Sequence, residues 1–169
     1  ILEEGLKQFP EEPDFHFGRA KAYAPSGRPE MIQSLETALR HNTNHVPSLL
    51  LLADHLIDAE EYAAAEKTVA KALAVNPHSP EAWAYRSVLH HVRGEPEGEA
   101  QAHQQALAHW KSNPAVDYLI GQKISQKYRF AEGSGYQRQA LRFDPKFLPA
   151  KIQLAQDLLR LGEEKEGWK

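Results

Sequence analysis

Apolar side chains recur along this chain at helical spacing, in stretches separated by short polar breaks. The clearest stretch runs from Val46 to Ser79. Its first half places Leu49, Leu52, Ala53 and Leu56 at i, i+3, i+4 and i+7, the stripe of an amphipathic helix. Its second half places Ala65, Val69, Ala72 and Leu73 on a second stripe. The polar run Asp58-Ala59-Glu60-Glu61 between them is short enough to force the two helices antiparallel. Asn76-Pro77 then ends the second helix, because proline lacks the amide donor and pushes the preceding residue out of helical geometry. The same pattern returns through the chain. Its Ala-Leu dipeptides are Ala38-Leu39, Ala72-Leu73, Ala106-Leu107 and Ala140-Leu141, each 34 residues after the last. A fixed period of this size is the signature of stacked helical hairpins, and small alanines at repeated positions predict close approach of helix backbones.

In chain order, the pattern predicts a helix remnant over residues 1–11 that Pro10 ends, then a helix from Pro13 to Tyr23. Pro25-Ser26-Gly27-Arg28-Pro29 reads as a turn, followed by a helix from Glu30 to Arg40. Ser79-Pro80 opens the next unit as a serine cap with proline in the first turn. Gly94-Glu95-Pro96 is its turn, and 97–110 its returning helix. The expected division is 1–11, 12–45, 46–79, 80–113, 114–147 and 148–169, with both ends cutting through a repeat, as in a piece of a longer chain.

Leu49, Leu52, Ala53, Leu56, Tyr62, Ala65, Val69, Ala72 and Pro77 fall where the tetratricopeptide repeat has large, small or proline residues, and the stretch resembles that family. The resemblance implies an all-α fold, a right-handed superhelical α-solenoid of stacked antiparallel helix pairs. Copies three and four depart from the pattern. Glu99 and Gly133 stand where the family prefers a small residue early in the second helix, and His103 and Gln137 replace aliphatic residues. Gly133 and Gly135 also weaken helix propensity. Looser packing is expected in these two copies.

The resemblance further implies a groove lined by the first helices. Carried onto this chain, its lining is Tyr23, Leu50, Asp54, Ile57, Val88, His91, Tyr118, Gln122, Ile152 and Gln156, joined by His16, Ala20, Ala84, Ser125 and Leu159. A largely apolar, partly aromatic wall suits a peptide or helix with hydrophobic anchors. The lysine and asparagine clamp with which some members hold the carboxylate tail of heat-shock chaperones is missing. His16, Leu50, Ala84 and Tyr118 stand at the lysine-type positions, and Ala20, Asp54, Val88 and Gln122 at the asparagine-type ones.

Composition adds exclusions. A net charge of −3, with 20 Lys and Arg scattered along the chain, argues against a nucleic-acid groove. Without cysteine there are no disulfides or thiolate zinc sites. No apolar run reaches the roughly 20 residues that span a bilayer. Nine histidines raise the question of a metal, but His41 and His45 fall in a linker and His90-His91 diverge on a helix. No nucleophile elbow or phosphate loop is present. The reading is a non-catalytic scaffold with a protein or peptide partner and no cofactor, metal, nucleic-acid contact or membrane insertion. Its alternative comes from residues 143–169, which are similar to repeat regions preceding metallopeptidase domains in bacterial proteins of the peptidase MA type. In that case the chain is an arm that positions substrate or assembly partners for an enzyme domain outside it.

Overall fold

The computed structural model describes residues 2–26 and 29–167. The centre of the Pro25–Pro29 turn, at Gly27-Arg28, and the end of the last expected repeat, at Trp168-Lys169, lie outside the described residues. All regular structure among them is helical. Two compact units divide at Pro77 and His78.

The first unit holds α1 (Leu2–Gln8), α2 (Pro13–Tyr23), α3 (Pro29–His41), α4 (Val46–Asp58) and α5 (Tyr62–Val75), with a 3-10 turn at Ala24–Ser26. Helices α2 and α3 pack as one pair and α4 and α5 as another. Ala20, Met31 and Leu35 form a buried cluster, against which Phe17, Tyr23, Ile32, Leu51 and Leu52 pack. Each such aliphatic side chain contributes about 1.5–3 kcal/mol when fully buried.

The second unit holds α6 (Pro80–Arg93), α7 (Pro96–Ala106), α8 (Pro114–Ser125), α9 (Phe130–Phe143), α10 (Leu148–Arg160) and α11 (Glu164–Gly167). Its pairs are α6 with α7, α8 with α9 and α10 with α11, while α9 also packs on α10 and α6 on α8. Ser79 caps α6 as the sequence predicts, its side chain accepting from the Ala82 amide at 3.2 Å, with Pro80 in the first turn. The returning helix α7 stops at Ala106, four residues short of the expected end. The segment after it turns instead, and there the His109 Nε2 lies 2.9 Å from Nδ1 of His78. That side-chain contact replaces the last helical turn.

Helix starts repeat the 34-residue step: Val46, Pro80, Pro114 and Leu148 for the first helices, and Tyr62, Pro96, Phe130 and Glu164 for the second. The four alanines of the Ala-Leu pairs are all buried, each at 3 % exposure or less. A third series runs at the same step. Glu60, Gly94, Tyr128 and Gly162 have φ of 63°, 71°, 63° and 78°, the left-handed position that closes the first helix of each pair. Glycine adopts it freely, whereas a residue with a Cβ is strained there by about 1–2 kcal/mol. Tyr128→Gly is therefore expected to stabilise the fold by about 0.5–1 kcal/mol, since glycine's larger chain entropy offsets part of the relief. Urea unfolding of the two proteins measures it, and an unchanged or lower midpoint would contradict the assignment of strain to Tyr128.

Candidate functional site

The four departures in copies three and four turn out to be partnered. Glu99 on α7 accepts from the Tyr136 hydroxyl of α9 at 2.5 Å and contacts His91 Nδ1 of α6 at 2.9 Å. The other ring nitrogen of His91 lies 2.6 Å from Glu132 on α9. Only a ring carrying both N–H groups donates to both carboxylates. Burial, then the hydrogen bond and charge of Glu99, push the Tyr136 phenol well above its ordinary value, so it stays a donor. His103 reaches from α7 to the fully buried Asp117 of α8 at 3.0 Å and meets the Tyr136 ring edge-on. Gln137, also fully buried, donates to the Tyr118 carbonyl at 3.2 Å.

Gly133 answers a steric demand. A Cβ there would fall on the Ser125 hydroxyl and 2.8 Å from the Gly121 carbonyl oxygen. The reciprocal is true of Gly121, whose Cβ would lie 2.8 Å from the Gly133 oxygen. Two glycines thus let α8 and α9 touch through their backbones, and the expected loosening at Gly133 gives way to close approach. By contrast, nothing lies within 4 Å of a Cβ at Gly135.

The room left by Gly133 is taken by Ser125, whose hydroxyl donates to Asp157 Oδ2 of α10 at 2.9 Å. The Gln153 amide, one turn earlier on α10, donates to Asp157 Oδ1 at 2.9 Å. Asp157 is fully buried, and burial raises its carboxyl above the ordinary range, while its two hydrogen bonds pull the other way. The raised value means that the fold favours the neutral acid. What Asp157 adds to stability is then fully present below the ordinary carboxylate value and is lost as pH rises through the raised one. Asp157→Asn is expected to remove that loss. Relative to the parent, the variant gains stability as pH rises above the ordinary carboxylate value of about 4 in urea unfolding; a relative loss as pH rises from there would overturn the sign.

These residues form one side of a cleft of about 990 Å³ lined by the ends of α8 and α10 and the turn between α8 and α9. Gln122, Ser125 and Gln126 come from the α8 side, Gln153, Gln156 and Arg160 from α10, and Tyr128 and Phe130 from the turn and the start of α9. The Tyr128 and Phe130 rings meet edge-on with centroids 6.1 Å apart. Tyr128 is 85 % exposed, the most exposed large hydrophobic residue described.

Of the lining residues expected from sequence, the structure brings Gln122 and Gln156 together in this cleft, with Ser125 and Leu159. Tyr118 lies apart, in a smaller hollow of about 400 Å³ with Pro80, Val116 and Leu119, its ring edge-on to Phe147. Ile152 is half exposed on α10. Tyr23 and Asp54 are partly buried in the first unit. Leu50, Ile57 and Val88 are instead core residues, at 8 %, 0 % and 0 % exposure. Ile57 continues the buried Leu49-Ala53 stripe by one more turn, and Val88 follows the buried Ala84 by one turn. Both ring nitrogens of His91 are engaged by glutamates within the second unit. Asp157, Gln153, Tyr128, Phe130 and Arg160 are not among the lining residues expected from sequence. Tyr128 has a signal: it stands one period after Gly94 and one before Gly162, in a series whose other member with a side chain is Glu60.

The tetratricopeptide repeat profile matches residues 32–89. Residues 32–89 carry the tetratricopeptide repeat. A thermophilic tetratricopeptide-repeat protein of Thermus thermophilus superposes with a TM-score of 0.72 at 19% identity, over 94% of this chain and 87% of its own. A tetratricopeptide-repeat protein of Parabacteroides merdae gives 0.73 at 17% identity, over 98% of this chain and 65% of that one. YrrB, a tetratricopeptide-repeat protein with an unusual peptide-binding site, gives 0.63 at 12% identity, over 99% and 86%. No curated protein matches significantly. At these identities the structures establish the fold, a helical-repeat solenoid. Tetratricopeptide repeats are protein-interaction scaffolds and generally non-catalytic. Among the described residues no helix is long and apolar enough to cross a membrane.

Proposed function

We propose that this tetratricopeptide-repeat chain binds an extended peptide segment of a protein partner in the cleft between α8 and α10. The observation that carries the reading is the set of four glutamines, Gln122, Gln126, Gln153 and Gln156, around one opening. Among the described residues, the side chains of Gln122, Gln126 and Gln156 make no hydrogen bond. A primary amide offers donors and an acceptor together, and so pairs with both the N–H and the C=O of a peptide backbone. An extended segment exposes both at every residue. The exposed tyrosine beside the amides supplies the aromatic anchor that concentrates binding energy at peptide interfaces.

A linear peptide library panned on the full chain, followed by titration of the selected peptides, tests this. The double variant Gln122→Ala/Gln156→Ala is expected to weaken them by about tenfold or more, each lost hydrogen bond being worth about 0.5–1.5 kcal/mol. Helicity should be unchanged, because both side chains are at the surface of their helices. Equal affinity for the parent and the double variant would place the binding elsewhere and remove this reading.

A further inference from the structure

We propose that the same cleft takes a single basic side chain of the bound peptide, arginine before lysine, with the Asp157 carboxylate beneath it and the Tyr128–Phe130 rings beside it. The proposal rests on the reading of the cleft as a peptide groove and assigns the chemistry of its central residue. Two observations point to a cation, and a third opposes it and sets its limit.

The first is the carboxylate. Asp157 is fully buried, yet its partners are a serine hydroxyl and a glutamine amide, and no ion pair engages it among the described residues. Each carboxylate oxygen accepts one bond and keeps a lone-pair direction open. A buried carboxylate held only by neutral donors is an expensive arrangement, and an arriving cation relieves it. The way in is through Gln153, which is only partly buried and belongs to the cleft wall. Rotation of its amide away from Oδ1 hands that oxygen to a guanidinium, which replaces a hydrogen bond from a neutral donor by one from a charged donor. The upward displacement of the Asp157 carboxyl agrees with a negative charge that lacks its counterpart.

The second is Tyr128. Its backbone occupies the left-handed position at φ 63°, where the equivalent residues Gly94 and Gly162 are glycines and Glu60 is the other residue with a side chain, and its ring is almost wholly exposed. Strain retained at an exposed aromatic on a cleft indicates a function for that ring. A ring face attracts cations, arginine most often, and the planar guanidinium also stacks on it. Carboxylate and aromatic faces are different chemistries that select the same ligand charge.

The third is Arg160, the charged residue of the cleft that opposes this preference. It is exposed, so water screens it and an ion pair with it is weak. The buried carboxylate therefore decides the sign at the centre of the cleft. Arg160 decides what flanks it: a second basic residue in the peptide is repelled, and an acidic one is tolerated.

Three capped pentapeptides of otherwise identical uncharged sequence, with arginine, norleucine or glutamate at the centre, separate the possibilities when titrated into the isotopically labelled full chain by NMR. The arginine peptide is expected to bind about tenfold or more tightly than the norleucine peptide, with shifts at Gln122, Gln156 and Tyr128. The glutamate peptide should be the weakest. Asp157→Asn should bring the arginine and norleucine peptides to within about twofold of each other, and Tyr128→Gly, which is expected to fold more stably, should lower their ratio without abolishing it. Equal binding of arginine and norleucine peptides to the parent would overturn the cation while leaving the groove intact. Tightest binding of the glutamate peptide would hand the cleft to Arg160 and overturn it as well. Binding of none of the three would remove both groove and cation.

Discussion

Alanine at Gly133 is expected to lower the stability of the chain by about 2 kcal/mol, although alanine is the better helix former by about 1 kcal/mol. The methyl group would overlap the Ser125 hydroxyl and sit 2.8 Å from the Gly121 carbonyl oxygen. Ser125 is buried and bonded to Asp157, and the carbonyl belongs to the backbone of α8. Neither can retreat without moving a helix. Forcing a methylene-sized group into such a contact costs about 1–3 kcal/mol, and the severity of both overlaps puts the strain at the top of that range. Gly135 supplies the control within the same helix. With nothing within 4 Å of its added Cβ, Gly135→Ala is expected to raise stability by up to about 1 kcal/mol. Urea unfolding of the two variants should give midpoints displaced in opposite directions. A shared direction would mean that helix propensity, rather than the α8–α9 contact, governs this helix. Because Gly133 makes the room for Ser125, its alanine variant should also weaken peptides selected on the parent.

Glu99→Ala should cost more, about 3 kcal/mol. Glu99 joins three helices: its carboxylate meets His91 of α6 and Tyr136 of α9. Removing it leaves the Tyr136 hydroxyl and the inner His91 nitrogen without a protein acceptor in surroundings that are mostly buried, at about 1–3 kcal/mol for each group stranded. The pair Glu99 and Tyr136 is open to a double-mutant cycle. Tyr136→Phe removes the donor that Glu99→Ala strands, so the double variant should be about 1–2 kcal/mol more stable than the sum of the single losses requires. Additive losses would show that Glu99 acts through His91 alone. Either loss is large beside the total stability of a domain, about 5–15 kcal/mol.

Both expectations come from residues that break the repeat pattern. Glu99, His103, Gly133 and Gln137 read in the sequence as erosion of copies three and four. In the fold each meets a partner: Glu99 meets His91 and Tyr136, His103 meets Asp117, Gln137 meets the Tyr118 carbonyl through its amide N–H, although its buried Oε1 meets none among the described residues, and Gly133 meets Gly121 and Ser125. A buried polar side chain is tolerated when its partner is present. Here the partners come from other helices, 8 to 37 residues away in the chain. Helical periodicity along one element does not show that the two halves of such a pair meet.

The candidate site divides the same way. Gln122 and Gln156 were legible because a period of 34 residues carries one helix face onto the next. Ile57 and Val88 were assigned to that face by the same arithmetic, yet they are fully buried. Helices α4 and α6 bury more of their circumference than a single amphipathic stripe, and the phase of a residue does not reveal how wide the buried arc is.

What the sequence alone determined is periodic. The spacing of Ala38, Ala72, Ala106 and Ala140, the prolines at helix starts and the breaks between stripes specify helical hairpins, because helix geometry and chain termination are local properties. The tertiary structure decided which polar residues share an interior, where two helices touch through glycine, and that the carboxylate of Asp157 shares a cleft with a strained tyrosine. Those relations depend on distances between helices. They arise when backbones pack closely enough to exclude water, and that exclusion sets both the cost of a buried charge and the chemistry that would satisfy it.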